Sequence, residues 1–273
     1  MELDKFKHFS VFGNPIEHTL SPKIHSLFSK QTNIPCSYTA VKVPLNEFSN
    51  RINSFFNTIG DGANVTLPFK EEAYCFSDIL TNRAKLTKSV NTLKKVKDEK
   101  ILGDNTDGIG FLYDLNRLGF LKKNNKILLI GAGGAARGLL PSILSKNNEV
   151  FIYNRTYERA KKLAEEFRYL GKIQEVGYKD LSAIKAGLII HATSYFFSKE
   201  KLILPSSLIH QNVSCYDLSY VKNSQTTPFL NWCKKLGAMN LANGIGMLIS
   251  QAAYSFLLWN NILPDIEKIF AEL

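Results

Sequence analysis

The chain of 273 residues is 45% hydrophobic and 21% charged, which is the composition of a globular protein large enough for one or two domains. Its net charge of +10 would suit a nucleic-acid partner. The lysines are dispersed, however, and aromatic residues do not alternate with them as a base-stacking surface requires, so we expect no nucleic-acid partner.

The sequence also gives no indication of a secreted, membrane-spanning, disulfide-rich or metal-binding protein. The first nine residues lack the apolar segment of a signal peptide, and the most apolar late stretch, residues 247–259, is too short to span a bilayer. We therefore expect a cytoplasmic protein with no membrane partner. The cysteines are far apart and form no C-x-x-C pair, which predicts neither a disulfide framework nor a metal site: Cys36, Cys75, Cys215 and Cys233.

Strand and helix patterns alternate from the start of the chain. Short apolar runs predict strands at residues 9–12, 38–43 and 62–66. Helices are predicted from Pro22, with Ser21 as N-cap, to about residue 31, over residues 45–58 and from about Pro68. Two runs separated by a charged turn indicate a β-hairpin, at residues 91–96 and 101–104. This alternation is typical of an α/β protein.

The junction between Lys126–Ile130 and the glycine loop that follows it is the most informative motif. A short apolar strand meets a loop that begins a helix, as in the G-x-G-x-x-G/A fingerprint of dinucleotide-binding proteins. Gly131 would permit the tight turn, Gly133 would let backbone amides approach a pyrophosphate, and Ala136 would keep the helix close to the strand. The helix N-terminus would add N–H donors and a partial positive charge.

The next strand, predicted at residues 149–153, ends where NAD-dependent enzymes usually have an acidic residue for the ribose 2′-hydroxyl. This chain has Asn154, Arg155 and Thr156 there, with Arg159 one helical turn further on. A carboxylate would repel a 2′-phosphate, whereas a guanidinium can bind it at two points. The sequence therefore favours NADP over NAD, although the arginines taken alone could equally be solvated residues at a helix start.

The remaining patterns complete an α/β arrangement of two lobes. Strands are predicted at residues 188–192 and 214–218, and two helices separated near Pro264 are predicted from Gly244 onward. The nucleotide-binding unit should extend from about residue 107 to 241. We therefore expect the cofactor to bind the second lobe.

Hydroxyl groups are concentrated in the loop of residues 13–22. Thr19 and Ser21 lie just where a helix is predicted to begin. Hydroxyls and backbone N–H groups converge at such a place and suit a carboxylate ligand. The simpler interpretation, which we prefer from the sequence alone, is that Ser21 caps its own helix.

Two more polar clusters lie beside predicted strands. Asn64, Thr66 and Lys70 stand between a strand and a helix, where α/β proteins place ligands. From the sequence alone, however, the default interpretation of a lysine beside two glutamates is a solvated helix face. The Asp-Asn-Thr-Asp-Gly run at residues 104–108 is rich in turn-forming residues and could be only a structural turn. None of these clusters identifies a reaction by itself.

Taken together and in order, these motifs resemble those of shikimate dehydrogenases. The resemblance extends over nearly the whole chain, and several of the motifs occur in few other families. The matching segments are Gly13–Pro15, Ser21–Pro22, Gly62–Lys70, Val90–Thr92, Gly103–Gly108, Gly131–Ala136, Asn154–Thr156 and Asn243–Gly246.

The resemblance implies an α/β protein of two lobes. Residues 1–106, completed by C-terminal helices that return to the first lobe within residues 242–273, would form an α/β substrate-binding domain. Residues 107–241 would form a Rossmann-type NADP-binding domain. The implied activity is the reversible, NADP-dependent reduction of 3-dehydroshikimate to shikimate, on the route to chorismate and the aromatic amino acids, by a monomer or homodimer acting on this small-molecule substrate.

The resemblance also assigns roles to individual residues. Lys70 and Asp107 would be the catalytic pair, and the hydroxyls of Thr19 and Ser21 would hold the substrate carboxylate. The substrate ring or its hydroxyls would contact Asn64, Thr66, Lys70, Asn91, Asp107, Tyr220 and Gln251. The cofactor would contact Gly131, Ala132, Gly133, Gly134, Ala135, Ala136, Asn154, Arg155, Thr156, Arg159, Thr193, Leu218 and Gly244.

The implied chemistry is consistent with these residue types. When a hydride moves from C4 of the nicotinamide to the substrate carbonyl carbon, negative charge develops on the carbonyl oxygen. A lysine ammonium can stabilise that charge and deliver a proton without a metal. An adjacent carboxylate would keep the lysine charged and oriented, which suits reduction. Oxidation requires the neutral amine, so it should become faster as pH rises.

The chain departs from the family pattern at several positions. Thr19 replaces a common serine, Leu20 a common lysine, and Asn243 a common aspartate. His191 replaces the asparagine of an Asn-Ala-Thr motif, and the following residues 195–197, Tyr-Phe-Phe, replace a small, glycine-containing stretch. These aromatic residues could line the cofactor groove, form a subunit contact or belong to a repacked loop.

Alternative functions come from the same family and from outside it. A quinate/shikimate dehydrogenase with relaxed use of NAD and NADP is the nearest, and Asn154–Thr156 argues against it. A methylene-tetrahydrofolate dehydrogenase would share the scaffold but not the motifs at residues 64–70 and 104–108. A non-catalytic basic binding protein or an inactive regulator is a more distant alternative, and retention of Lys70 and Asp107 argues against inactivity.

Overall fold

The computed structural model describes residues 6–193, 203–221 and 226–273. The aromatic segment at residues 195–197 therefore lies outside the described residues. The chain divides into two compact units, one made of residues 1–110 and 248–273 and the other of residues 111–247. Among the described residues, no helix combines the length and the apolar character needed to cross a membrane.

The described strands of the first unit form a mixed six-stranded sheet of order β2-β1-β3-β5-β6-β4. The strands are β1 (Lys7–Gly13), β2 (Cys36–Lys42), β3 (Gly62–Val65), β4 (Ile79–Leu80), β5 (Thr92–Lys95) and β6 (Ile101–Asp104). Strand β1 is parallel to β2 and β3. Strand β5 is antiparallel to both β3 and β6, and the β5–β6 pair confirms the predicted hairpin.

The described strands of the second unit form a six-stranded sheet in which every pair is parallel. They are β7 (Lys126–Ile130), β8 (Glu149–Tyr153), β9 (Ile173–Glu175), β10 (Leu188–His191), β11 (Ser214–Asp217) and β12 (Asn240–Asn243). Their order, β9-β8-β7-β10-β11-β12, is that of the Rossmann fold. Strands β9 and β12 were not predicted, because β9 is only three residues long and two of the four residues of β12 are asparagines.

Helices connect these strands and confirm the predicted α/β alternation. They are α1 (Ser21–Thr32), α2 (Phe48–Thr58), α3 (Lys70–Phe76), α4 (Asn82–Thr87), α5 (Asp107–Arg117), α6 (Gly134–Leu144), α7 (Tyr157–Phe167), α8 (Pro228–Lys235), α9 (Ile245–Asn260) and α10 (Ile266–Glu272). Helix α2 begins three residues later than predicted, at Phe48, which is its first buried residue. The predicted break near Pro264 separates α9 from α10.

The C-terminal helix α9 packs on the first sheet. Trp259 stacks on Phe9 of β1 with ring centroids 4.3 Å apart, and its Nε1 donates a hydrogen bond to the carbonyl oxygen of Leu93 at 2.9 Å. The ring lies so close to β3 that a Cβ at Gly62 would be 2.5 Å from Nε1. The late helices therefore complete the first unit, as expected from the sequence.

The core of the second unit is mainly aliphatic. Buried side chains of β7 and β10 face those of α6 and α7, and Ala136 is fully buried where α6 approaches β7. Arg137 of α6 donates two hydrogen bonds, of 2.8 and 2.6 Å, to the Glu166 carboxylate of α7. This two-point contact fixes the two helices that follow the first two strands of the nucleotide-binding fold.

Candidate active site

An ion pair between Lys70 and Asp107 forms the centre of a polar site in the first unit. Lys70 is the first residue of α3 and Asp107 the first of α5, and Nζ lies 2.6 Å from Oδ2. The two side chains are only 15% and 5% exposed. Strands β3 and β6 are both antiparallel to β5, so their carboxyl ends share one edge of the sheet. The sheet therefore unites two residues that are 37 positions apart.

Asn91 joins this ion pair to helix α9. Its Nδ2 donates to Oδ1 of Asp107 at 2.8 Å and lies 3.1 Å from Oε1 of Gln251. Its Oδ1 accepts a hydrogen bond from the backbone N–H of Thr106 at 2.9 Å. Asp107 thus receives donors on both carboxylate oxygens, which fixes its orientation. The structure brings together four of the predicted site residues here.

The loop that carries Asp107 is held by a buried carboxylate. Asp104 is fully buried, binds the guanidinium of Arg83 through both oxygens, and accepts a hydrogen bond of 2.5 Å from the hydroxyl of Thr81. The side chain of Asn105 accepts a hydrogen bond from the backbone N–H of Asp107 at 3.1 Å. The Asp-Asn-Thr-Asp-Gly run is therefore more than a structural turn, because it holds Asp107 opposite Lys70.

The hydroxyls of Thr19 and Ser21 lie together at the start of α1. Thr19 Oγ1 donates to Ser21 Oγ at 3.1 Å. Leu20 occupies the N-cap position and Ser21 is already the first helical residue, so its side chain makes no capping hydrogen bond. The preferred interpretation that Ser21 caps its own helix is therefore wrong, because the helix begins one residue earlier than a cap at Ser21 would require.

Asn64 connects Tyr38 of β2 to the hydrogen bonds around Asn91. Its Nδ2 donates to the carbonyl oxygen of Asn91 and to Oγ of Ser255, both at 3.0 Å. Its Oδ1 accepts a hydrogen bond of 2.8 Å from the hydroxyl of Tyr38. Thr66 follows β3 and packs against Gly13, where an added Cβ would lie 2.3 Å from the Thr66 methyl carbon.

Tyr38 and Ser255 were missed at the sequence level. Burial raises the pKa of Tyr38 well above its usual value, so its hydroxyl remains a protonated donor for Asn64. Ser255 lies one helical turn after Gln251 and accepts a hydrogen bond from Asn64, and its hydroxyl is 2.8 Å from that of Thr92. The sequence did contain a signal for Ser255: Gln251 and Ser255 are four positions apart in the apolar segment 247–259, which places them on one face of a helix.

A fully buried histidine lies beneath these polar groups. The ring of His25 stacks on that of Tyr38 with centroids 4.0 Å apart. Burial lowers the pKa of His25 to about 3, so the ring is neutral at physiological pH. Neither ring nitrogen has a hydrogen-bond partner among the described residues. The polar site of the first unit therefore rests on an aromatic layer rather than on a second set of charges.

The glycine loop of the second unit leaves open space where side chains would otherwise stand. Gly131 has a φ of +119°, which an L-residue rarely adopts, and a Cβ there would lie 2.7 Å from the carbonyl oxygen of Ala192. At Gly133 and Gly134 no described atom lies within 4 Å of an added Cβ. Since α6 begins at Gly134, the open space lies at a helix N-terminus and fits a dinucleotide pyrophosphate.

The end of β8 presents positive charge to solvent. Arg155 and Arg159 are exposed at the start of α7. Asn154 Nδ2 donates to the carbonyl oxygen of Thr156 at 2.9 Å, which shapes the turn between strand and helix. These residues follow the second strand of the Rossmann order, where a ribose 2′-substituent would bind.

The other predicted cofactor residues lie at the carboxyl ends of β10, β11 and β12. Thr193 is beside the glycine loop, with its methyl carbon 3.1 Å from a Cβ added at Gly131. Gly244 approaches β11 so closely that a Cβ would lie 2.0 Å from the carbonyl oxygen of Leu218. Tyr220, predicted to contact substrate, follows β11 in this second unit, and its role stays a prediction.

Comparisons with known proteins agree with this geometry. A protein-family model described as the shikimate dehydrogenase substrate binding domain matches residues 11–93, and another described as shikimate / quinate 5-dehydrogenase matches residues 116–215. An Ael1 enzyme from Pseudomonas putida is 35% identical over 98% of each chain, with a TM-score of 0.87. Shikimate dehydrogenase from Aquifex aeolicus is 30% identical over 98% of this chain and 97% of its own, also with a TM-score of 0.87.

A relative with bound ligands is similar over the same length. Shikimate 5-dehydrogenase from Thermus thermophilus, solved in complex with NADP(H) and shikimate, is 32% identical over 96% of each chain, with a TM-score of 0.83. The two family matches cover most of the chain, and relatives above 30% identity cover nearly all of it. The chain therefore belongs to the shikimate/quinate dehydrogenase family of oxidoreductases.

Proposed function

We propose that this chain is an NADP-dependent shikimate dehydrogenase, which reversibly reduces 3-dehydroshikimate to shikimate on the route to the aromatic amino acids. The observation that carries the proposal is the Lys70–Asp107 ion pair, held by Asn91 and nearly removed from solvent. A charged lysine with a fixed orientation is the acid that carbonyl reduction requires. The first unit would bind the substrate and the second the cofactor, with boundaries near residues 106 and 242.

The substrate would be held by the polar side chains of the first unit. The Thr19 and Ser21 hydroxyls, which lie 3.1 Å apart, would bind its carboxylate. The ring hydroxyls would be bound by Asn64, Thr66, Asn91 and Gln251 of the first unit and by Tyr220. The side chains of Asn64 and Gln251 both already hydrogen-bond to Asn91. Their positions are therefore fixed before the substrate binds, and little side-chain entropy is lost on binding.

NADP would be bound by the residues predicted for it. The pyrophosphate would lie on the Gly131–Ala136 loop, and the 2′-phosphate would be bound by Arg155 and Arg159, with Asn154 and Thr156 shaping the turn. Thr193, Leu218 and Gly244 would line the nicotinamide half. Reduced NADP supplies the hydride when bound. The relative from Thermus thermophilus, solved with NADP(H), supports this choice of cofactor.

In the reduction, the Lys70 ammonium would donate a hydrogen bond to the carbonyl oxygen and then transfer its proton as the alkoxide forms. The Asp107 carboxylate, bound by Asn91, would stabilise the ammonium before transfer and keep the amine oriented after it. The 15% exposure of Lys70 leaves a route for reprotonation from solvent. In the oxidation the neutral amine would remove the proton, so the rate should rise with pH.

A quinate/shikimate dehydrogenase with relaxed cofactor use is the second candidate, because one matching family model is described for both substrates. Thr19 disfavours quinate, since quinate has an additional hydroxyl on the carbon that carries the carboxylate and the threonine methyl would crowd it. The cytoplasmic location and the choice between monomer and homodimer stay predictions.

The test is the absorbance of reduced cofactor with purified protein and shikimate, comparing NADP⁺ with NAD⁺ and then shikimate with quinate. We expect turnover with shikimate and NADP⁺. Comparable turnover with quinate or NAD⁺ would assign the chain to the second candidate. No turnover with any combination, in a folded protein, would contradict both and leave a binding function.

A further inference from the structure

A buried chain of hydrogen bonds ends at one of the proposed cofactor residues. Nδ1 of His191 lies 3.0 Å from Oδ1 of Asp217, and Nε2 of the same ring lies 2.7 Å from Oγ1 of Thr193. His191 and Asp217 are each 2% exposed. The His191 ring also stacks on Phe229 with centroids 4.7 Å apart, so its plane is fixed by packing as well.

The donors around Asp217 determine which nitrogen of His191 carries hydrogen. Asp217 Oδ1 also accepts from the backbone N–H of Ser219 at 3.0 Å, and Oδ2 accepts from the Thr227 hydroxyl at 2.6 Å. A carboxylate oxygen can only accept a hydrogen bond, so Nδ1 of His191 must be the donor. A ring that carries its one hydrogen on Nδ1 has an acceptor at Nε2. The Thr193 hydroxyl consequently donates to the ring and keeps its lone pairs for another partner.

The position of Thr193 indicates what that partner is. From β7 the chain adds β8 and β9 on one side of the sheet, and then β10, β11 and β12 on the other. In such folds a dinucleotide binds at the carboxyl ends of the strands where the direction changes, here between β7 and β10. Thr193 follows β10 and packs beside Gly131. Arg155 follows β8 on the other side of β7, which places the adenosine half there and the nicotinamide half at β10.

We propose that His191 and Asp217 are positioning residues that hold the Thr193 hydroxyl as a hydrogen-bond acceptor for a donor on the nicotinamide half of the cofactor. The inference rests on the proposed function, since it takes the bound dinucleotide as its ligand. The donor is an N–H of the carboxamide or an O–H of the adjoining ribose. His191, which replaces an asparagine of the family motif, therefore acts through Thr193 and does not itself touch the cofactor.

The test is equilibrium binding of two ligands, NADP⁺ and adenosine 2′,5′-bisphosphate, which lacks the nicotinamide half. In His191→Asn the amide replaces Nδ1–H toward Asp217 but is too short to reach Thr193, so the buried carboxylate keeps its donor. In Thr193→Val the hydroxyl is lost and the shape is kept. We expect each variant to bind NADP⁺ about fivefold more weakly, the value of one hydrogen bond. Binding of adenosine 2′,5′-bisphosphate should not change.

The double variant separates positioning from a structural role. If His191 acts through Thr193, adding His191→Asn to Thr193→Val has no further effect on NADP⁺ affinity. Full additivity, wild-type affinity in His191→Asn, or equal loss for both ligands would overturn the inference. Nitrogen NMR of the ring should also show hydrogen on Nδ1 and none on Nε2. If the wild-type protein binds NADP⁺ and the variants bind it equally well, this inference alone is contradicted. If the wild-type protein does not bind NADP⁺, the proposed function is contradicted too.

Discussion

The candidate sites of the two units are constructed in opposite ways. In the first unit, polar side chains such as Lys70, Asn91 and Asp107 already hydrogen-bond to one another. In the second unit, the central feature is the lack of side chains at Gly133 and Gly134, with backbone amides at the start of α6. One site is organised before its ligand arrives, whereas the other offers space and fixed dipoles to a phosphate.

The difference follows from the ligands that the two sites would bind. A reacting carbonyl and several ring hydroxyls require donors and acceptors at fixed positions, and a network of side chains provides them. A pyrophosphate is recognised mainly by charge and close backbone approach. We therefore expect substitutions in the first unit to affect catalysis strongly, and those at the edge of the second unit to affect mainly which cofactor is used.

The largest expected effect is that of Lys70→Ala. Loss of the proton donor should lower kcat about 10²-fold or more while the KM for shikimate changes much less. Steady-state kinetics in both directions, with a thermal melt to establish folding, measure this. Lys85→Ala, which removes an exposed lysine from α4, is the matched control and should leave kcat unchanged. An unchanged kcat in folded Lys70→Ala would exclude Lys70 from the mechanism. Substitutions in the first unit would then no longer be expected to affect catalysis more strongly than those in the second.

A smaller effect concerns the aromatic layer under the first site. Because the pKa of His25 is about 3 in the folded protein, the unfolded chain alone takes up a proton between about pH 6.5 and 3. Stability should therefore decrease as pH falls through this range and level off below it. The loss between neutral pH and pH 5 amounts to about 2 kcal/mol from this residue.

His25→Phe, which keeps an aromatic ring but cannot titrate, isolates this contribution. Denaturant unfolding at pH 7 and pH 5 should show a smaller decrease in the free energy of unfolding for the variant than for the wild-type protein. An identical decrease in both proteins would mean that His25 is not buried in its neutral form, and the polar site would then rest on a charge.

The smallest expected effect is that of Arg155→Ala in the second unit. Loss of one guanidinium–phosphate contact should raise the KM for NADPH about tenfold and leave the use of NADH nearly unchanged. Arg168→Ala is the matched control, since Arg168 is an exposed arginine of the same unit paired with Glu175 at 3.6 Å. Equal loss with both cofactors would argue against a 2′-phosphate contact at Arg155.

The two sites also differ in how much of them could be predicted from the residues. The strand, glycine loop and arginine of the second unit are local in sequence, and their spacing alone indicated a dinucleotide site. Lys70 and Asp107 are far apart in sequence, so their pairing was predicted only through the family resemblance. Tyr38 and His25 were missed because hydrogen bonding and ring stacking across β2 and α1 leave no local pattern.

The return of α9 to the first sheet has a consequence for synthesis on the ribosome. Trp259 packs against β1 and β3, so the first unit lacks part of its core until α9 has left the exit tunnel. The second unit, continuous over residues 111–247, has its six described strands available earlier. Although domains usually fold from the N-terminus as they emerge, here the middle of the chain should become protease-resistant before its beginning does.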